Sequence, residues 1–173
     1  YYRLMRPFVV RRADKIITVS QYSQYEIEKY YPGAVGKIDV VYLGVEKEFK
    51  KIENIKKKNQ LLYVGSMNER KNFIGVLAAF ELLDRDDYEL LMVGNCSSNF
   101  MIEESSINVV TNAKQSKKVE FKNSVCNEEL VRIYNESKLL IFPSFYEGFG
   151  LPVLEAMACG TPVICSDASS LPE

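Results

Sequence analysis

The sequence predicts a doubly wound α/β domain built on a parallel sheet. Five apolar, β-branched-rich runs recur along the chain: "QLLYVGS" (60–66), "YELLMVG" (88–94), "KVEFKN" (118–123), "KLLIFPS" (138–144) and "TPVICSD" (161–167). They start 28, 30, 20 and 23 residues apart, which leaves room for one helix between successive strands. Their apolarity is continuous rather than alternating, the pattern of strands buried on both faces.

The elements follow in order. Residues 1–46 open on a basic, helix-like stretch. It is followed by a strand "DKIITVS" (14–20), a helix-like "QYSQYEIEKYY", a Pro32-Gly33 turn and a strand "KIDVVYLG" ending at Gly44. This part is expected to be the end of a preceding domain plus a crossover. The lysine-rich "KEFKKIENIKKKNQ" (47–60) is polar and suits a surface connection. The main domain is expected over 47–173. In its first helix, Phe73, Val76, Leu77, Phe80 and Leu83 form one stripe. "NEELVRIYNES" starts at Asn127 as N-cap, with Glu128 and Glu129 in the first turn. "PVLEAMAC" has Pro152 in its first turn and Gly160 just past its end. Such a β-α-β-α rhythm indicates helices on both faces of the sheet. The beginning "YYRLMRPF" and the ending "SSLPE" suggest a fragment of a longer protein.

Composition narrows the chemistry. The 173 residues are 47% hydrophobic and 26% charged, enough apolar matter for a real core. A net charge of −1 argues against a bulk electrostatic nucleic-acid binder, although Arg70-Lys71 and Lys56 to Lys58 contribute to a local basic patch. The four cysteines show no CxxC pair, and the chain has no histidine, so neither a zinc site nor the commonest general base near neutral pH is expected. Reduced thiols point to a cytoplasmic protein. No apolar run reaches the roughly 18 residues that span a bilayer.

Two loops are candidate sites. In "PSFYEGFGLPVLEAMACGTPV", Glu147-Gly148-Phe149-Gly150 leads from a strand to a helix. Glycines permit close backbone approach, and a helix N-terminus favours an anion such as diphosphate. Glu155, a turn inside that helix, leans back toward its mouth and can accept from vicinal hydroxyls. The eight-residue spacing alone is uninformative, because Glu81/Glu89 and Glu120/Glu128 share it. The residues by themselves leave two readings open: a connecting loop with solvated carboxylates, or an anion cradle. A dinucleotide fingerprint fails, since Val153 stands at the third glycine position and Pro152 intrudes. The second loop, "YVGSMNERKN", places Arg70 and Lys71 after a strand that ends at Gly65-Ser66, on the side where doubly wound sheets bind ligands. Two cations there can neutralise a diphosphate. "DRDD" (84–87) falls at the opposite edge and reads as a solvated turn.

Three segments together carry a resemblance. "ADKIITVSQYSQYEI … VVYLGV", "YVGSMNERKN" and "LLIFPSFYEGFGLPVLEAMACGTPVICSDASSLPE" resemble a family-4 (group 1) glycosyltransferase of the two-Rossmann-domain (GT-B) type. The likeness implies a Rossmann-like donor-binding domain, the C-terminal half of such an enzyme. It also implies transfer of a sugar from a nucleoside-diphosphate sugar, with retention and without a metal or other cofactor. On that pattern Glu147 contacts the sugar hydroxyls. Backbone from Gly148 through Phe149 and Gly150 to Leu151 meets sugar and phosphate, and Glu155 holds the ribose. Lys71, with Arg70, faces the diphosphate beside Gly65 and Ser66. Many relatives carry arginine where Ser66 stands, which makes the role of Arg70 less secure than that of Lys71. The "RKN" and "SSLPE" style suggests GDP-mannose, with a UDP-sugar as the other donor. The acceptor would be a glycan or lipid-linked, and the full enzyme would associate peripherally with the inner face of the membrane. The chain alone is expected to be inactive. A nucleotide-sugar epimerase and a noncatalytic nucleotide-binding module remain as other classes.

Overall fold

The first apolar run, "DKIITVS", yields only three residues of strand. In the computed structural model, which describes residues 2–83, 85–95 and 104–173, helix α1 (Tyr2–Arg12) leads to β1 (Ile16–Thr18). The strand stops because Ser20 turns away to cap α2 (Gln21–Tyr30), its side chain accepting the Ser23 N–H. A 3₁₀ turn at Pro32–Ala34 returns the chain to β2 (Ile38–Val40), parallel to β1 with Ile16 opposite Ile38. The expected extension of this strand to Gly44 is not formed. Val41 N–H still reaches Thr18 C=O, but β1 offers no ladder partner beyond it.

These elements belong to one of two compact units. The first comprises Tyr1–Gly44, Tyr146–Gly150 and Asp167–Glu173, and the second comprises Val45–Phe145 and Leu151–Ser166. Hydrogen bonds join the three pieces of the first unit. The Glu173 carboxylate accepts the N–H groups of Gln21 (2.8 Å) and Tyr22 (2.7 Å) at the start of α2, where orphan donors and the helix dipole favour an anion.

The second unit is built on β3 (Gln60–Val64), β4 (Glu89–Val93), β5 (Val119–Lys122), β6 (Leu139–Phe142) and β7 (Val163–Cys165). All are parallel, in the order β5-β4-β3-β6-β7. Every residue of β3 is buried, as continuous apolarity predicts for a central strand. Leu61, Tyr63, Leu90 and Met92 face α3 (Phe73–Glu81) and α4 (Glu104–Gln115), through Phe73, Val76, Leu77, Val110 and Ala113. Residues alternate along a strand, so Leu62 and Leu91 turn to the other face. There α5 (Asn127–Glu136) packs against α6 (Leu151–Ala158). The chain lays down β3 first, builds outward to β5, then returns to place β6 on the other side of β3. The strand order therefore reverses between β3 and β6.

Three local expectations are corrected. α3 ends at Glu81, leaving Leu83 outside the buried stripe and 40% exposed. Cys126, not Asn127, is the N-cap of α5; the Asn127 amide instead donates to Glu46 at 3.0 Å. The lysine-rich connection is not wholly superficial. Phe49 is buried against Tyr134, and Lys57 Nζ donates to Ser137 C=O (2.7 Å) and Thr161 Oγ1 (2.9 Å).

Candidate functional site

In an open α/β sheet, ligands sit outside the carboxyl ends of the strands where the order reverses. Here that point lies between β3 and β6, the two strands whose following segments carry the candidate motifs. After β3 the chain turns at Gly65, whose φ is +152°. Its neighbour just past the end of β4, Gly94, has φ +148°, and a Cβ there would lie 2.0 Å from Gly65 O. Only glycine permits this close approach of the two strand ends. Asn68 then caps a short 3₁₀ turn, Glu69–Lys71, its Oδ1 accepting the Lys71 N–H at 3.0 Å.

This turn gives the two cations different settings. Arg70 is exposed, and its carbonyl accepts the Phe145 N–H at 2.9 Å, fastening the β3 loop to the segment leaving β6. Lys71 is only 9% exposed, with its ammonium 4.7 Å from the centroid of the Phe142 ring. Ser66 is exposed and its hydroxyl accepts from Asn68. Ser144, two residues beyond Phe142, is 1% exposed, and its Oγ has no hydrogen-bond partner among the described residues. Sequence reasoning passed over this hydroxyl, although "PS" directly follows a predicted strand.

Glu155 lies on α6, which begins at Leu151 with Pro152 as its second residue. Its Oε2 accepts the Tyr134 hydroxyl at 2.9 Å, while Oε1 takes no hydrogen bond from a described residue. Burial raises the carboxyl pKa and the charge of Glu46 adds to the rise, against a lowering by the Tyr134 bond. Tyr134 itself is pushed upward by burial and by the adjacent Glu155 charge. Tyr134 too was missed. Only its place in an amphipathic helix was legible, not the end of the phenol.

Glu147, Gly148, Phe149 and Gly150 belong to the first unit, so the residues singled out from sequence are divided between the two. Within the first unit, Ser169 and Ser170 hold the backbone on either side of the Glu147 side chain. Ser169 Oγ accepts Glu147 N–H at 2.7 Å, and Ser170 Oγ donates to Glu147 C=O at 3.0 Å. Ser23 Oγ donates to Gly148 C=O at 3.3 Å, and Phe149 lies against Tyr42 with centroids 6.2 Å apart. Gly150 has φ +104°, and a Cβ there would meet Leu171 Cδ2 at 2.6 Å. The "SSLPE" ending thus serves the "EGFG" loop through hydrogen bonds that spacing does not reveal.

Of "DRDD", Asp84 lies outside the described residues. Asp86 and Asp87 pair with Lys118 and Arg85 in an exposed turn, as expected. Among the described residues, no group of three or more Cys, Asp or Glu side chains is placed to hold a metal ion, and no helix is long and apolar enough to cross a membrane.

The sheet order and the cation-bearing turn at its reversal define a doubly wound α/β domain of the kind that binds ligands at its strand ends. Comparison with known proteins specifies the family. Residues 45–173 match the model of the glycosyl transferases group 1, and the chain belongs to that family. It is 33% identical over 175 residues to O-antigen chain mannosyltransferase B of Escherichia coli, with 93% of this chain and 45% of that protein covered. It is 34% identical over 168 residues to O-antigen chain mannosyltransferase RfbU of Salmonella typhimurium, covering 96% and 46%. The chain therefore spans about half the length of the curated relatives it matches. Among solved structures, sucrose-phosphate synthase from Thermosynechococcus elongatus superposes with a TM-score of 0.81 at 26% identity, over 98% of this chain and 45% of that one. Anabaena HepE in complex with UDP and glucose gives 0.78 at 19% identity, over 97% and 48%. The Rossmann-like GT-B architecture is shared with these proteins.

Proposed function

We propose that this chain supplies the donor side of a retaining glycosyltransferase that moves a hexose, mannose as the first assignment, from a nucleoside-diphosphate sugar to a glycan or lipid-linked acceptor. The observation that carries the reading is the reversal of strand order between β3 and β6, with Lys71 held beside Phe142 at that edge. The mannose assignment rests on the two mannosyltransferase relatives, which favour GDP-mannose; the UDP of the Anabaena complex keeps a UDP-sugar as the other donor.

Each residue has a defined task in this reading. Lys71, with Arg70, meets the negative charge that grows on the departing diphosphate, aided by the N–H groups at the start of α6. Glu155 accepts from the ribose hydroxyls. Glu147 accepts from the sugar hydroxyls, and backbone from Gly148 to Leu151 lines sugar and phosphate. The bond from the anomeric carbon to the diphosphate oxygen breaks, and a bond from that carbon to the acceptor oxygen forms on the same face. The acceptor's proton passes to the leaving phosphate oxygen, so no side chain acts as a covalent nucleophile. Mg²⁺ is not required, and the enzyme works on the cytoplasmic side of the membrane, held there peripherally by its lipid-linked acceptor.

Calorimetry of the full-length protein with GDP, UDP and NAD tests the donor class, and proton NMR of the product formed from GDP-mannose tests retention. Binding of GDP or UDP with an axial anomeric linkage in the product is expected. Binding of NAD alone, or an inverted linkage, overturns the proposal.

A further inference from the structure

We infer that Tyr134 is a positioning residue, whose hydroxyl fixes one oxygen of Glu155 so that the other is offered to the vicinal hydroxyls of the nucleotide ribose. The inference rests on reading Glu155 as the ribose ligand and adds a residue that neither the motif nor the family match assigns.

The geometry is specific. Tyr134 is fully buried on α5, and its hydroxyl donates to Glu155 Oε2 across to α6. Its ring is set edge-on to Phe49 with centroids 6.1 Å apart, and its carbonyl accepts the Thr161 hydroxyl. Ring, backbone and phenol are each anchored, so the donor position is set by the core rather than by solvent. A helical glutamate has three side-chain torsions, and an unanchored one samples several rotamers. Anchoring Oε2 removes that freedom before ligand arrives, and with it part of the ordering cost of binding. Oε1, with no hydrogen bond from a described residue, is the oxygen left to accept from a ligand.

The surroundings of Glu155 sharpen the role. Tyr134 faces it from α5, Glu46 from the segment before β3, and Cys159 from the turn just past the end of α6. Burial and Glu46 both favour the neutral carboxyl, and the Tyr134 bond is what opposes them. A protonated Glu155 accepts less well from a diol. The phenol therefore aims the carboxylate and also keeps it ionised to lower pH. Removing the phenol raises the Glu155 pKa further, so binding that needs the carboxylate fails at a higher pH as the solution is acidified.

The test compares GDP and UDP with their 2′,3′-dideoxy analogues on the full-length protein, by calorimetry between pH 5 and 8. A hydrogen bond to a charged group contributes about 1.5–3 kcal/mol, so the wild type should prefer the ribonucleotides by roughly 10- to 100-fold. Glu155→Gln should reduce that preference to about 2-fold, since the acceptor loses its charge. Tyr134→Phe retains the ring packing and should cut the preference several-fold, with the acid limb of binding shifted to higher pH. Glu155→Asp, which keeps the charge but withdraws from the phenol, should also lose preference. If Glu155→Gln keeps the full preference, the ribose reading of Glu155 fails. If Glu155→Gln loses it while Tyr134→Phe or Glu155→Asp keeps both preference and acid limb, the positioning role of Tyr134 is overturned and the ribose reading stands.

Discussion

Replacing Lys71 by methionine separates the chemistry of this lysine from its packing. The side chain is 9% exposed, and a Cβ on Gly65 would lie 3.5 Å from its Cδ. Its methylenes therefore fill space at the end of β3, and methionine fills much of the same volume. The stability cost includes the cation–π contact with Phe142, about 0.5–2 kcal/mol. The catalytic term is larger. A unit charge about 4 Å from a phosphate oxygen, at an effective dielectric near 20, interacts by roughly 4 kcal/mol. Removal of one well-placed electrostatic donor costs about 10²–10³ in kcat, and the Lys71 variant should fall in that range. Steady-state transfer from GDP-mannose or a UDP-sugar, followed beside thermal unfolding, reads both quantities. A variant that melts with the wild type and transfers within threefold of its rate would show that Lys71 does not meet the leaving group.

Three further outcomes are expected. Burial raises the Glu155 pKa above its unfolded value, so the ionised form costs stability at pH above the folded pKa, a cost that disappears below the unfolded carboxyl value of about 4.3. Glu155→Gln should thus raise the melting temperature at pH 8 and lose that advantage near pH 4; a lower melting temperature at pH 8 contradicts the assignment of burial as the dominant cause. Gly94→Ala places a Cβ on Gly65 O and should destabilise by at least about 3 kcal/mol, read as a fall in denaturation midpoint, since neither backbone strand end can retreat from its ladder. Transfer should survive EDTA; activity lost on chelation and restored by Mg²⁺ would overturn the metal-independent reading.

What the sequence disclosed and what it concealed differ in kind. The five strands are legible from their continuous apolar runs, but burial on both faces holds for the central β3, buried at all five positions, and not for the edge strand β7, where Ile164 is 58% exposed. Chain order alone also limits the ligand edge, since parallel strands put every strand–helix turn on one side. Which of those turns sits at the reversal is a matter of sheet order, and the placement of β6 beside β3 rather than beside β5 is invisible in any local pattern. The same distinction governs the side chains. Lys71 and Glu155 were singled out because charge after a strand or within a helix mouth has a chemical meaning. Tyr134 and Ser169-Ser170 were not, because their value lies in partners 21 and 22–23 residues away along the chain. A phenol on an apolar helix face looks like core until its hydroxyl is found on a carboxylate. In this fold the motif residues bear the charge, and residues with no motif of their own determine where that charge points.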